Sequence, residues 1–307
     1  MKKFLLKTLL FLLPLITLLI GSEFLIRNIP NDYNTKLKFL KEQSADIEVL
    51  TLGSSHAYYG VNPDLFNNKC FNLSNLAQTP EFDLKLFKKY GDKMDQLKVL
   101  LYPISYFTFF WDLQSSPESW RLKNYTIYYQ VDAAISLQDY FELLSVNPKQ
   151  NFQRIMDYYV HDSSEVKVSP LGWGFHSSSK KSNFIDEVVY DVAHRHTYLS
   201  SPYFEKNSKE VEEIIQICLL KGIKVILFFP PAFEKYREFV DPKQLKMTYG
   251  KIDELLLKYK NLSFVDYFSD TTFTQCDFLD ADHLNIAGSS KLSQKLNLEV
   301  NQIYRFN

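Results

Sequence analysis

The sequence predicts an α/β fold, a three-layer sandwich with helices covering a mostly parallel central sheet. Three observations carry this. Short apolar runs recur along the chain, separated by segments with helical periodicity. Two of these runs, "KVLLYPIS" (98–105) and "IKVILFFPP" (223–231), are apolar without alternation, as strands covered on both faces are. With 307 residues, 46% of them hydrophobic and 16% aromatic, the chain can bury a sizeable core.

The elements follow in order. "IEVLTL" (47–52) is a short β run ending at Gly53, and "KCFNLS" (69–74) is a second strand. "PEFDLKLFKKY" (80–90) places Phe82, Leu86 and Tyr90 on one helical face. In "NSKEVEEIIQICLLKG", Val211, Ile214, Ile215, Cys218 and Leu219 keep helical spacing. Asn207 with Glu210 resembles a capping box, and Gly222 supplies a stop. "KQLKMTYGKIDELLLKYK" (243–260) reads as helix and "LSFVDY" (262–267) as the last strand. The final helix carries Leu292, Leu296, Val300 and Ile303 along one stripe. Residues 113–205 break the rhythm. They are rich in Tyr, Ser and Trp and read as an insertion forming part of a cap or substrate wall.

The N-terminus reads differently. Lys2, Lys3 and Lys7 precede an uncharged run from Thr8 to Ser22, and apolar residues continue to Ile26. No small-x-small cleavage site follows. Residues 1–30 are therefore expected to be a retained signal anchor, a single transmembrane helix with its lysines in the cytoplasm and the rest exported to the periplasmic or extracellular face. Residues 31–46 are polar and read as a linker to a domain spanning 47–307.

The net charge of −1 offers no overall basic field for nucleic acid. Cys70, Cys218 and Cys276 have no metal-site spacing and read as unpaired thiols.

Chemistry concentrates at two places. "VLTLGSSHAYYG" (49–60) ends a strand on a glycine and two serines. In open parallel sheets, ligands bind beyond the carboxyl ends of strands. A serine starting the next helix also sits among free backbone N–H groups that can hold an oxyanion. Ser55 is the candidate nucleophile, with Ser54 second. A serine needs a base. Of six histidines, His56 adjoins the serine and is expected to point elsewhere; His161, His176, His194 and His196 fall in the irregular insertion, with "HRH" (194–196) read as a solvated loop. His283 sits in "DADHLN", after the last strand and before the last helix. Asp280, three residues earlier, can bond the imidazole and fix its tautomer. An unperturbed histidine base predicts activity falling below about pH 6.5.

Over roughly residues 45–110 and 205–305 the sequence resembles the SGNH/GDSL hydrolase superfamily, whose fold is flavodoxin-like. The matching residues are Gly53, Ser54 and Ser55 in the first block and Asp280 and His283 in the last, with "HLN" followed by Gly288. The second block, "NLSNLAQTP" (72–80), lacks the usual glycine, and Ser74 is its nearest equivalent. The third, "PISYFTF" (103–109), lacks the usual asparagine, and Ser105 stands in its place. These departures look like the membrane-anchored envelope branch, the alginate O-acetyltransferase-like and D-alanyl-transfer-protein-like proteins.

The resemblance implies an exported serine esterase or O-acyltransferase acting on acyl groups of cell-envelope glycans. Ser55 would attack, His283 serve as base and then acid, and Asp280 orient His283. The Ser55 N–H, helped by Ser74 or Asn75, would hold the oxyanion. No metal or organic cofactor is implied, and an integral-membrane acyltransferase is a family-based partner. The insertion offers Trp120, Arg121, Asn124 and Tyr125 as sugar contacts. The other reading is a degenerate glycan-binding or polysaccharide-assembly protein.

Overall fold

Val49, Leu50 and Thr51 are fully buried and pair on both sides, with Cys70–Asn72 and with Val99–Leu101, always in parallel. A computed structural model, describing residues 1–175 and 184–305, shows how the rest is built around this strand. In chain order the main elements are α1 (Lys2–Arg27), α2 (Asp32–Gln43), β1 (Val49–Thr51), α3 (Ser55–Gly60), β2 (Cys70–Asn72), α4 (Pro80–Tyr90) and β3 (Val99–Pro103). Next come α5 (Glu142–Ser145), α6 (Pro148–Tyr159), α7 (Asp186–Arg195), α8 (Phe204–Leu220), β4 (Lys224–Phe229) and α9 (Glu234–Phe239). The chain closes with α10 (Pro242–Lys258), β5 (Leu262–Asp266) and α11 (Ile286–Arg305).

The sheet order is β2-β1-β3-β4-β5, all parallel, with helices flanking it. Every residue of β3 is buried, which accounts for its unbroken apolar sequence, whereas the edge strand β5 is half exposed. In this order the connections leave β1 and β3 in opposite directions. The carboxyl ends of those two strands therefore border the crevice where doubly wound sheets bind ligands. The loop after β1 carries Ser55.

Sequence boundaries hold for the helices whose caps are explicit. Pro80 opens α4 with Glu81 and Asp83 in the first turn, where acidic side chains complement the helix dipole. Asp241 caps α10 by accepting from the Lys243 and Gln244 amides. The capping box at Asn207 is corrected. Helix α8 already begins at Phe204, and the buried Asn207 donates instead to the Thr108 and Trp111 carbonyls. Three residues of helical sequence before Asn207 outweighed its capping tendency. Residues 31–46, read as a linker, are helical from Asp32 to Gln43, started by the Asn31 side chain accepting from the Tyr33 and Asn34 amides.

The chain divides into two compact units, residues 1–37 with 117–167, and residues 38–116 with 168–307. Within the region 113–205, residues 117–167 belong to the first unit and the others to the second. In the first unit, α1 has 26 residues, a mean hydropathy of 2.4 over its most apolar window, and almost no buried side chains before its last turns. At 1.5 Å per residue it is long and apolar enough to cross a membrane. Tyr33, Tyr125 and Tyr129 form an aromatic cluster, with ring centroids 5.6–5.9 Å apart. Around the buried Glu142 carboxylate gather Lys123 at 2.7 Å and Arg154 at 3.0 Å.

Candidate active site

The turn after β1 is shaped by what a side chain would strike. Gly53 has φ +110°, and a Cβ there would stand 2.3 Å from Pro103 Cγ. Its N–H donates to Asp83 Oδ1 at 2.8 Å, and its carbonyl accepts from the Asn75 amide at 3.2 Å. Ser54 then caps α3, its carbonyl accepting from Ala57 and Tyr58. Ser54 is buried. Ser55, the first residue of the helix, is half-buried and lies with its Oγ 2.8 Å from His283 Nε2. The geometry therefore brings Ser55, and not Ser54, to an imidazole.

His283 is held by its own loop. The Leu279 amide donates to the His283 carbonyl at 2.7 Å, closing "LDADH" on itself. Asp280 accepts from the His283 amide at 2.9 Å and from the ring Nδ1 at 2.9 and 3.0 Å. Asn285 fixes the loop to α11, accepting from the Ala287 and Gly288 amides while donating to the Cys276 and Phe278 carbonyls. A Cβ at Gly288 would lie 2.1 Å from the Asp277 carbonyl oxygen, so the "HLN…G" spacing is a packing requirement of this corner.

A second carboxylate stands behind the first. Asp282 is 4% exposed, whereas the Asp280 side chain is 47% exposed. Asp282 Oδ1 lies 3.4 Å from His283 Nδ1, and its Oδ2 accepts from His56 Nε2 at 3.0 Å. His56 Nδ1 in turn accepts from the Ser105 hydroxyl at 2.7 Å. His196 Nδ1 is 3.6 Å from Asp282 and 3.0 Å from the Tyr236 hydroxyl. Burial opposes ionisation of Asp282, but His283, His56 and His196 together hold its pKa far below the usual carboxylate range. Burial likewise disfavours a charged His283. The Asp282 and Asp280 carboxylates outweigh it and push the imidazole up to about 9. His196 goes the other way, lowered to about 4 chiefly by burial.

These contacts revise several expectations. The "HRH" segment ends α7 instead of forming a loop; His194 and Arg195 are exposed as expected, but His196 packs against Phe107 and Tyr236. His56 does point away from Ser55, but into the site. Ser105 is 1% exposed; its hydroxyl serves His56 and its amide donates to Thr108 Oγ1, so it does not face an oxyanion. The Ser74 amide and hydroxyl both donate to Asn72 Oδ1. The Asn75 side-chain amide donates to the Leu73 carbonyl and to Gln78 Oε1. Both residues close the turn after β2. At the start of α3 the Ala57 amide is bonded to the Ser54 carbonyl, while the Ser55 and His56 amides precede the first intrahelical acceptor.

Trp120, Arg121, Asn124 and Tyr125 all lie in the first unit, while the Ser55 constellation lies wholly in the second. Tyr125 is fully buried in the tyrosine cluster, and Asn124, also buried, accepts from Lys123; neither is available to a sugar. Trp120 is half exposed and carries Arg121 over its ring at 4.3 Å. His176 lies outside the described residues. The aromatic wall of the second unit is instead Tyr59, Trp173 and Phe175. With Leu279, Leu284 and Ile286 they line a cleft of about 150 Å³. Tyr59 stands edge-on to the His283 ring at 5.4 Å, and Trp173 Nε1 donates to the Tyr59 carbonyl.

Ligand atoms of His56, Asp282 and His283 fall within 4.8 Å of one another. Each ring nitrogen already has a hydrogen-bond partner, so an ion there would have to displace one. All three cysteines are free, Cys70 and Cys218 buried and Cys276 exposed.

No family model and no curated protein matches the chain. Among solved structures, the chain is similar to a "putative platelet activating factor" from Streptococcus pneumonia, at 13% identity and TM-score 0.44 over 95% of this chain and 98% of that one. It is similar to a "putative acylhydrolase" from Bacteroides fragilis, at 11% identity and TM-score 0.41 over 86% and 95%. A GDSL-like lipase from Bacteroides thetaiotaomicron is similar at 12% identity and TM-score 0.40 over 88% and 100%.

Proposed function

We propose that the chain is a serine acyl-ester enzyme of the SGNH type, anchored by α1 and exported, acting on acyl groups of cell-envelope glycans. The observation that carries this reading is the unbroken contact from Ser55 Oγ through His283 to Asp280, at 2.8 and 2.9 Å, on the carboxyl side of a parallel sheet. Neutral His283 accepts the Ser55 proton at Nε2 as Ser55 Oγ bonds to the ester carbonyl carbon. Negative charge on the carbonyl oxygen is held by the first amides of α3. The imidazolium, steadied by Asp280 and Asp282, returns its proton to the leaving alcohol, and an acyl-Ser55 ester remains. An acceptor hydroxyl then bonds to the acyl carbon as it gives its proton to His283; the bond to Ser55 Oγ breaks, His283 returns that proton to Ser55, and the acylated acceptor leaves.

Acceptor identity separates an esterase from an O-acyltransferase. With Ser74, Asn75 and Ser105 committed elsewhere, the oxyanion site is sparse, and slow loss of the acyl group to water is expected. A large acceptor resting on Tyr59 and Trp173 would have time to compete. An integral-membrane acyltransferase is the proposed source of the acyl group. The test is labelling of Ser55 by a fluorophosphonate, followed by product analysis of a small activated ester with and without an oligosaccharide. Acylated sugar supports transfer, and fast hydrolysis alone makes the protein an esterase. Absence of labelling and turnover would leave a glycan-binding or assembly protein.

A further inference from the structure

The first unit has an inverted surface. One group of charged side chains lies inside it: Lys123 and Arg154 both pair with Glu142, Arg154 also reaches Glu165, and the Glu142 side chain is fully buried. Its apolar side chains turn outward. Leu137, Tyr140, Leu144, Phe152, Tyr159 and Val160 are 45–74% exposed. Phe152 and Tyr159 are seven residues apart on α6 and share a face. A concentration of exposed apolar side chains within residues 135–160 points to a contact with something less polar than water.

Hydrogen bonds fix where this surface sits relative to α1. The Glu23 carboxylate accepts from the Glu142 and Leu143 amides at 3.0 and 2.8 Å, Arg27 donates to the Tyr140 carbonyl, and the Tyr159 hydroxyl donates to the Leu25 carbonyl at 3.0 Å. Glu23 is the first charged residue after Lys7. A helix rising 1.5 Å per residue from the lysines reaches the far side of a hydrocarbon layer near this residue. Leu144 and Tyr159 are thereby held at the level where the span meets the headgroups, the depth at which aromatic and aliphatic side chains of interfacial segments settle.

We propose that residues 135–160 dock on the bilayer, seating Leu137, Leu144, Phe152 and Val160 among the headgroups and upper acyl chains beside the end of α1. This goes beyond the enzymatic reading but rests on α1 as the span. The occupant is lipid because the patch is tied to the helix end at interfacial depth.

The test uses the full chain in vesicles of phosphatidylethanolamine and phosphatidylglycerol, with Cys276→Ser and a single environment-sensitive fluorophore on Leu144→Cys or Phe152→Cys. A third variant, Leu12→Cys, reports on the span. Lipids carrying a nitroxide near the headgroup should quench positions 144 and 152 more than lipids carrying it deep in the chain, with the reverse order at position 12. Aqueous iodide should leave 144 and 152 bright. Quenching of 12 by deep nitroxide, with 144 and 152 quenched only by iodide or shielded from both quenchers, would overturn the proposal in favour of a water-exposed or protein-covered patch while leaving the anchor intact. Quenching of 144 and 152 without 12 would remove the span that sets the depth of the patch and so overturn the proposal, leaving a lipid contact of another kind. No lipid quenching at any position would overturn both. Enzymatic activity enters none of these readouts.

Discussion

His56 Nε2 donates to the buried Asp282 carboxylate at 3.0 Å, so the residue after the candidate nucleophile is tied to the residue before the candidate base. The Ser105 hydroxyl fixes the other face of His56. Ser105, His56 and Asp282 repeat the residue types of a catalytic triad, but all three are under 9% exposed, and no substrate can reach Ser105. They act as a brace that keeps Asp282 ionised and aimed at His283. The groups facing this brace are Tyr59 on α3, Arg195 and His196 at the end of α7, Tyr236 on α9, and Asp280 on the same loop.

The brace sets a pH dependence. A His283 held at about 9 is charged at neutral pH, and only its neutral form can take the Ser55 proton. Activity and fluorophosphonate labelling should therefore rise with pH to a plateau above about 9, falling roughly tenfold per unit below it. This replaces the expectation of a limb near 6.5 for a free histidine. Asp282→Asn should shift the midpoint downward, towards the ordinary histidine range. A midpoint already near 6.5 in the wild type, or one unmoved by Asp282→Asn, would refute this account.

Ser55→Ala and His283→Ala should each lower kcat by about 10³-fold or more, and the double variant should lose no more than the worse single one, because the two act as a unit. Asp280→Asn should lose less, since Asp282 stays 3.4 Å from His283 Nδ1. Rates on an aryl acetate check all four. Full turnover by Ser55→Ala would misassign the nucleophile.

The two ends of this site were legible in sequence and its middle was not. Gly53 and Ser55 lie within a turn of the end of β1, and Asp280 and His283 lie three residues apart just before α11, where local spacing constrains geometry. The link from Ser105 to His56 to Asp282 crosses 49 and 226 residues of chain, and no period announces it. The second acid in "DADH", Asp282, is plain in the sequence, but no local spacing ties it to His56, 226 residues away. The sheet was readable chiefly through β1, β3 and β4, which are buried on both faces. The region 113–205 was not, because exposed apolar residues in it mimic neither a core period nor a polar loop.

Gly53→Ala should both destabilise the chain and silence the site. Its φ of +110° would cost about 1–3 kcal/mol for a residue with a Cβ. The methyl would also strike Pro103 at 2.3 Å, moving the turn that carries Ser55. Thermal unfolding should show a lower midpoint, and labelling should fall even where the fold persists. Native labelling in this variant would mean that the turn relaxes at no expense to Ser55.

The last prediction concerns Asp83, which lies under the same turn. It is 1% exposed, accepting from the Gly53 amide, Gln78 Nε2 and the Tyr102 hydroxyl. Burial outweighs these three bonds and pushes its pKa up to about 6. A carboxyl whose folded pKa is raised favours folding while protonated. That contribution is present at low pH and is lost as pH rises through about 6. From an unfolded value near 3.8, the loss is about 3 kcal/mol above pH 7. Asp83→Asn keeps an acceptor for Gly53 and removes the titration. Its stability relative to wild type should therefore improve between pH 4.5 and pH 8, read as thermal midpoints of both proteins at each pH in the same detergent. An unchanged difference at the two pH values would mean that Asp83 is ionised throughout and that its three donors outweigh burial.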